Sequence, residues 1–272
     1  MKKILTLGLL ALMMFQCKKS GNNAPEKILL SRMMVNGISQ YRFYYDSDKK
    51  ITRVESFSTT EAEKITQQHI LVYHGNDYPD EVTIYDEPGH TAIYKILYSI
   101  DDKGMPDTAW IYNLSGPTPN QYDQLSHFSY NADGKILVAE IKDKNGKYLY
   151  RYNYAYYEGG RLKQIDMYQP NGALLYLRER SNFSIPGSNY PPGLDEIEKI
   201  FNPELLVDLI SDSYQTFDYD QSGFVTFNTA HTMSGRVYND DGTLKSQTIT
   251  MKKIKPAGSD VVGQRQYEYI RQ

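Results

Sequence analysis

Between Lys147 and Tyr157 the chain reads KYLYRYNYAYY, and every second residue from Tyr148 to Tyr156 is a tyrosine. On a helix those five rings would scatter around the axis, whereas on a strand they line one face. The same alternation puts Tyr94, Ile96, Tyr98 and Ile100 together, and the stretches that carry it are rich in strand-forming Val, Ile, Thr and Tyr. Short turn signals separate them, among them Asp46–Lys49, Asp101–Gly104, Asn131–Gly134, Lys144–Gly146, Pro170–Gly172, Gln221–Gly223 and Asp240–Gly242. Glycine reaches positive φ without a steric penalty, and Asn or Asp bonds its own backbone. Strands joined by loops this short must be antiparallel neighbours. The chain is therefore expected to be all-β, an antiparallel meander of hairpins.

The hairpins resemble one another. FYYDSDKKITRV (43–54), FSYNADGKILVAEI (128–141), FDYDQSGFVTF (217–227) and VYNDDGTLKSQTI (237–249) share an aromatic strand end, a polar turn, then an aliphatic residue opening the next strand. Anchor tyrosines Tyr45, Tyr73, Tyr98, Tyr130 and Tyr157 recur at the length of two strands and two turns, so the repeating unit is a hairpin. Counting runs between turns gives about fourteen to seventeen strands. An open meander of that length would leave edges unpaired, and closure removes them. The architecture expected is barrel-like, with a curled sheet as the alternative.

The Tyr-Asp-x-x-Gly-Lys/Arg-Leu/Ile rhythm resembles the YD repeats of RHS proteins. Taken with the N-terminus described below, the chain looks most like an uncharacterised envelope lipoprotein family, domain of unknown function 4595, with a porin-like β fold. Tyr45, Tyr130, Tyr157, Tyr219 and Tyr238 match the aromatic position of the repeat, and Gly134, Gly160, Gly223 and Gly242 match its turn glycine. The resemblance implies an architecture and no catalytic residue.

The N-terminus, MKKILTLGLLALMMFQC, has two lysines followed by an apolar run from Ile4 to Phe15. That run is too short for an ordinary spanning helix and fits a secretory signal. It ends at Cys17, the only cysteine of the chain. This resembles the lipobox of Gram-negative lipoproteins, in which the cysteine is acylated and becomes the new N-terminus. Residues 1–16 are thus read as a signal peptide, 17–27 as a lipidated cysteine and polar tether, and 28–272 as one repeat-built β domain. The partner implied is a membrane, held through the N-terminal lipid. Losing residues 1–16 removes two lysines and no acid, taking the net charge from −3 to −5. That balance argues against a nucleic-acid partner, and a single cysteine excludes an intrachain disulfide and Cys-based metal sites.

One segment, 186–213, departs from the strand pattern. After PGSNYPPG, Leu194, Ile197, Ile200 and Phe201 fall at helical spacing, and Asn202-Pro203-Glu204 is a helix start. Two short helices, near 194–201 and 203–212, are expected as an insertion between strands, placed to cap or plug a barrel.

Recognisable chemistry is sparse. Asp218, Asp220, Ser222 and Gly223 follow the opening spacing of a calcium loop, but Thr229 stands where a bidentate Glu is required, and a hairpin turn explains them better. His69, His74, His90, His127 and His231 form no metal-binding pair motif, and no cofactor is expected. The chain has no G-x-S-x-G and no phosphate-binding glycine loop. The tyrosine face at Tyr148, Tyr150, Tyr152, Tyr154 and Tyr156 is read first as packing and second as a ligand surface able to stack on sugar rings. A spanning barrel would carry an outward apolar band, whereas charges interrupt many of these strands, so a barrel outside the bilayer is expected.

The function expected is a non-enzymatic binding or scaffold module of the cell envelope, with an envelope protein or a glycan as possible partner. The alternatives are a glycan-binding lipoprotein of an uptake system and a hydrolase with two carboxylates in the lumen. Radiolabelled palmitate is expected to enter the wild-type protein and not Cys17→Ser; equal incorporation into both would remove the lipid anchor.

Overall fold

The computed structural model describes residues 26–87, 89–158, 162–181 and 212–272. Cys17, the signal segment and most of the tether lie outside the described residues, as does the helical insertion apart from Asp212 and Ser213. Among the described residues there are sixteen strands. They are β1 (Ile28–Val35), β2 (Ile38–Tyr45), β3 (Ile51–Phe57), β4 (Ile65–Val72), β5 (Glu81–Asp86), β6 (Thr91–Ile100), β7 (Pro106–Asn113) and β8 (Gln124–Tyr130). The second half comprises β9 (Ile136–Asp143), β10 (Tyr148–Tyr156), β11 (Leu162–Tyr168), β12 (Leu174–Ser181), β13 (Ser213–Tyr219), β14 (Val225–Tyr238), β15 (Leu244–Lys255) and β16 (Val261–Arg271). Each strand pairs antiparallel with the next, and β1 pairs with β16, so the meander closes into a barrel. Closure leaves no sheet edge to template aggregation.

The turn that repeats is one device used seven times. In Asp46–Lys50, Asp101–Met105, Asn131–Lys135, Asp143–Lys147, Gln169–Ala173, Asp220–Phe224 and Asn239–Thr243, the first amide donates to the fifth carbonyl at 2.8–2.9 Å. The fourth amide donates to the first carbonyl at 2.9–3.1 Å. The fourth residue is left-handed in all seven; it is Gly in six and Lys49 (φ 68°) in the other. This is a tight turn followed by a left-handed residue, a geometry that joins twisted antiparallel strands. Where the first residue is Asp46, Asp101, Asn131, Asp143 or Asp220, its Oδ1 accepts from the third and fifth amides at 2.8–3.0 Å. The Asp or Asn after the tyrosine in the repeat is therefore a backbone cap.

The repeat tyrosine has its own structural role. The Tyr45 hydroxyl donates to the Leu30 carbonyl (2.6 Å), Tyr73 to Ile51 (2.9 Å), Tyr130 to Pro106 (2.6 Å), Tyr156 to Ile136 (2.7 Å) and Tyr269 to Leu244 (2.8 Å). Each donor sits at or near the end of an even-numbered strand and stitches it to the beginning of the preceding strand. All five stitches fall on one rim. The described chain ends meet there too, with Lys27 and Gln272 exchanging backbone bonds at 2.7 and 3.0 Å. We call this the terminal rim. In the fourth stitch the donor is Tyr156, whereas the sequence repeat points to its neighbour Tyr157.

Following the register from strand to strand shows which face turns inward. Phe43 stands opposite Val54, Val54 opposite His69, His69 opposite Ile84, and Ile84 opposite Tyr94. On this face Leu30, Met33, Phe43, Ile51, Val54, Leu71, Val82, Leu244 and Tyr267 form one buried cluster drawn from seven adjacent strands. Side chains from so many neighbouring strands converge only on the concave side of a curved sheet. A second inward cluster joins Ala139, Tyr154, Leu162 and Ile165, with Phe128, Tyr152 and Tyr156 against it. The opposite face carries charge at mid-strand: Arg42 faces Glu55, and His127, Glu140 and Arg151 stand in a row across three strands. Glu55 is only 4% exposed; Tyr44 donates to it at 2.8 Å, and Arg42 pairs with it at 3.5 Å.

The stitches make the fold sensitive to alkali. Burial pushes the Tyr98 phenol up to about 12 and raises Tyr130 and Tyr269 as well. An unfolded phenol ionises near 10. Between the two values the unfolded chain releases its protons first, so stability is full below pH 10 and falls as pH rises toward 12. At pH 7, Tyr130→Phe is expected to cost about 1–2 kcal/mol by urea denaturation, since it leaves the Pro106 carbonyl without its donor. Tyr94→Phe, which breaks no stitch, is expected to cost close to nothing.

Candidate functional site

Along five strands of one wall the inward side chains change character from the terminal rim to the opposite one. On β5 they run Val82, Ile84, Asp86; on β4 Leu71, His69, Gln67; on β7 Ala109, Ile111, Asn113; on β8 Phe128, Ser126, Gln124; on β9 Ala139, Ile141, Asp143. Burial follows the same direction. Val82 is 4% exposed and Asp86 is exposed; Ala139 is 5% exposed and Asp143 half-buried. The barrel is thus an apolar-floored cup. Its floor lies at the terminal rim, and its mouth, at the far rim, is polar.

Two tyrosine rows run from mouth to floor. On β6, Tyr94 is 40% exposed, and Ile96 and Tyr98 are half-buried against the larger cluster. On β10, Tyr150 is 37% exposed, Tyr152 half-buried and Tyr154 only 7% exposed. Tyr152 and Tyr154 stack with ring centroids 6.5 Å apart, and Tyr156 is bonded to Ile136. Tyr152, Tyr154 and Tyr156 are therefore packing residues, which leaves Tyr150 facing solvent at the mouth.

Tyr148 is not on that face. The register with β9 shifts between Tyr148 and Tyr150, so Tyr150 stands opposite Ile141 whereas Tyr148 stands opposite Lys142. Its neighbours confirm the outward position: burial and then the Glu140 carboxylate raise its phenol pKa, while Arg151 opposes them. A bulge adds one residue to one strand and so inverts the alternation beyond it, which a period-2 reading of the sequence cannot anticipate.

The mouth between β4 and β10 holds free hydrogen-bonding capacity. Among the described residues, Gln67, Asp86, Tyr94, Gln124 and Tyr150 have no side-chain hydrogen-bond partner. Asn113 is partly engaged, its Oδ1 accepting from the Ser115 amide at 3.2 Å. Asp143 is engaged as a turn cap, accepting from Asn145 and Lys147 at 2.9 and 2.8 Å. No lysine or arginine faces inward from these seven strands. Of the five free groups, only Tyr150 belongs to the surface that the sequence singled out. The signal for the others was present as the step from aliphatic to polar on alternate residues, such as V-x-I-x-D at 82–86, but it has meaning only once the inward face is known.

The remaining candidates resolve into structural roles. Asp220 caps its turn through Ser222 and Phe224, which accounts for the calcium-loop spacing. His74 pairs with Asp80 at 3.4 Å, and His90 with Glu87 at 2.7 Å while stacking on Tyr85. His127 bonds Thr108 at 3.2 Å, and His231 stacks on Tyr214 and bonds Thr229 at 3.0 Å. Among the described residues no group of three His, Cys, Asp or Glu is arranged to hold a metal ion. A shallow concavity of about 370 Å³ lies on the terminal rim beside Asn239, Asp241, Lys245, Tyr269 and Arg271. Arg271 is paired there with Asp241 at 2.6 Å and Glu26 at 3.6 Å.

Comparison with known proteins bears on the fold. No family model matches the chain, and no curated protein matches it. Among solved structures it is similar to a porin-like protein from Bacteroides uniformis ATCC 8492, with 14% identity, a TM-score of 0.56, and coverage of 90% of this chain and 97% of that one. A porin-like protein from Bacteroides vulgatus ATCC 8482 is 13% identical over 89% of this chain and 98% of that one, with a TM-score of 0.46. The first likeness shows a shared barrel architecture. The resemblance to YD-repeat lipoproteins rests on the residues alone.

His69 reports on the wall just beneath the mouth. Burial lowers its pKa from 6.5 to about 4. The folded state therefore keeps the ring neutral where the unfolded chain takes up a proton, so the stability present above pH 6.5 is lost as pH falls toward 4. Thermal or urea unfolding followed over that window is expected to show a loss of at most about 3 kcal/mol. His69→Gln is expected to flatten the dependence.

Proposed function

We propose that this chain is a lipid-anchored cell-envelope protein that works by binding or scaffolding, without catalysis and without forming a pore. The observation that carries the reading is the polarity of the barrel wall. Arg42, Arg53, Lys95, Glu140, Arg151 and Asp166 stand on the outward face at mid-strand. Several are paired there, Lys95 with Glu81 at 2.8 Å and Arg42 with Glu63 at 2.9 Å. On the lipid face of a spanning barrel each Arg or Lys at the bilayer midplane would cost about 2–4 kcal/mol. The inward face, which a porin keeps wet, is apolar and buried over the two clusters of β15, β16 and β1–β5 and of β9–β11, although Arg236 and Arg265 face inward on β14 and β16.

The topology suits an anchor. The described chain begins at the terminal rim, and eight residues separate Cys17 from Glu26, enough for at most about 30 Å of extended chain. A lipid on Cys17 would hold the closed end of the cup toward the membrane and leave the mouth facing away. The partners proposed are the membrane, through that lipid, and an envelope ligand at the mouth, with no nucleic acid. The kinship proposed is with the YD-repeat envelope lipoproteins of domain of unknown function 4595.

The carboxylate arrangement in the mouth speaks against hydrolysis. Asp86, Asp143 and Asp218 face inward on β5, β9 and β13; neighbours in that series are four strands apart, about 19 Å along the wall at ordinary strand spacing, against the 5–10 Å that a glycosidase pair requires. Asp143 is also held by its turn.

The test uses residues 17–272 with Cys17→Ser. The protein is expected to fold as a monomeric barrel in detergent-free buffer, stay off vesicles in flotation, and give no conductance in planar bilayers. Spontaneous insertion with discrete current steps would overturn the reading.

A further inference from the structure

We propose that the mouth between β4 and β10 is a binding site for neutral oligosaccharide, gripped by Tyr94 and Tyr150; the inference rests on the reading of the chain as a binding module.

Three features of that arc select the ligand class. The first is the combination of groups. Tyr94 and Tyr150 offer aromatic planes that are 40% and 37% exposed, with hydroxyls free of partners among the described residues. Gln67 and Gln124 each add an amide that can donate and accept, and Asp86 adds an acceptor. Aromatic faces beside bidentate polar groups match the C–H face and vicinal hydroxyls of a pyranose. The second feature is charge. The strands β4–β10 turn two aspartates and no cation inward, one of them spent on its turn; the cations nearest this rim are Lys147, in that same turn opposite Asp143, and Arg265, on β16 across the lumen, so the stretch from Tyr94 to Gln124 offers an anion no counter-charge. The third is the floor. Beneath the mouth, Val82 and Leu71 in one cluster and Ala139 and Tyr154 in the other are packed and buried. A ligand must rest on the exposed tyrosines at the rim.

The spacing sets the size. Tyr94 on β6 and Tyr150 on β10 are separated by four inter-strand steps, about 19 Å along the wall, with Gln124 on the strand midway between them. A monosaccharide would touch one ring; an oligomer spans both. Other inward tyrosines of these strands and the repeat tyrosines are committed elsewhere: Tyr45, Tyr73, Tyr130, Tyr156 and Tyr269 to the terminal rim, and Tyr154 to the floor.

The full mature protein is titrated calorimetrically with cellohexaose, maltohexaose, xylohexaose and chitohexaose, with hexagalacturonate as the anionic control. At least one neutral hexasaccharide is expected to bind, and its disaccharide to bind far more weakly. Tyr94→Ala and Tyr150→Ala are each expected to lower affinity about tenfold, as the loss of one stacked ring predicts. Both are expected to leave Tm unchanged, and Tyr148→Ala, on the outward face, to bind as wild type. Failure of all four neutral hexasaccharides at millimolar concentration would overturn the site, as would preference for the galacturonate or full affinity in the Tyr94→Ala/Tyr150→Ala double variant. A folded, non-conducting protein that binds none of them would sink this inference and leave the binding-module reading standing.

Discussion

The burial of one continuous apolar face against itself is the constraint that shapes this barrel. Leu30, Ile51, Val54, Leu71 and Val82 reach their partners only if successive strands curl toward the same side, and a curl sustained over sixteen strands brings β16 back to β1. Hydrogen bonding then finishes what burial begins, since closure pairs the last two edges. The tyrosine stitches lock the rim where the curl is tightest in side-chain terms, each binding the end of one strand to the beginning of the preceding one.

That asymmetry between the rims gives the molecule its function-bearing end. At the terminal rim the repeat tyrosines point their hydroxyls at backbone carbonyls, so these phenols are spent on the fold. At the far rim the same inward row turns polar, and the tyrosines that fall there, Tyr94 and Tyr150, keep both plane and hydroxyl unspent. One residue type thus does two jobs, decided by height on the wall. A molecule whose free tyrosine planes lie opposite its described chain ends is organised to be held at one side and to bind at the other.

Much of the architecture was legible in the sequence because its causes are local. The turn Asp or Asn, the left-handed fourth residue and the alternation within each strand are properties of five to nine residues, and they specify antiparallel hairpins without reference to the rest of the chain. Where the reading failed, the cause was non-local. Tyr148 belongs by alternation with Tyr150, yet a register shift against β9 turns it outward beside Glu140 and Lys142. Tyr157 fits the repeat, yet Tyr156 makes the stitch. The mouth was invisible for a related reason: Gln67, Asp86 and Gln124 become neighbours only through pairing across seven strands, and no single segment announces them.

The central claim is that, over β1–β10, apolar residues face the lumen beneath the mouth, mid-strand charged residues face out, and the accessible tyrosines stand at the rim away from the described chain ends. With Cys17→Ser the chain has no thiol, so single cysteines report without background. Reaction rates of a charged maleimide with Tyr94→Cys, Tyr150→Cys, Tyr98→Cys, Tyr154→Cys, Lys95→Cys and Arg151→Cys measure the claim position by position. The account predicts fast labelling at the mouth positions 94 and 150 and the outward positions 95 and 151, and labelling at 98 and 154 only after denaturation. Floor cysteines that react as fast as those at the mouth, or outward cysteines that are protected until a bilayer is dissolved, would contradict it.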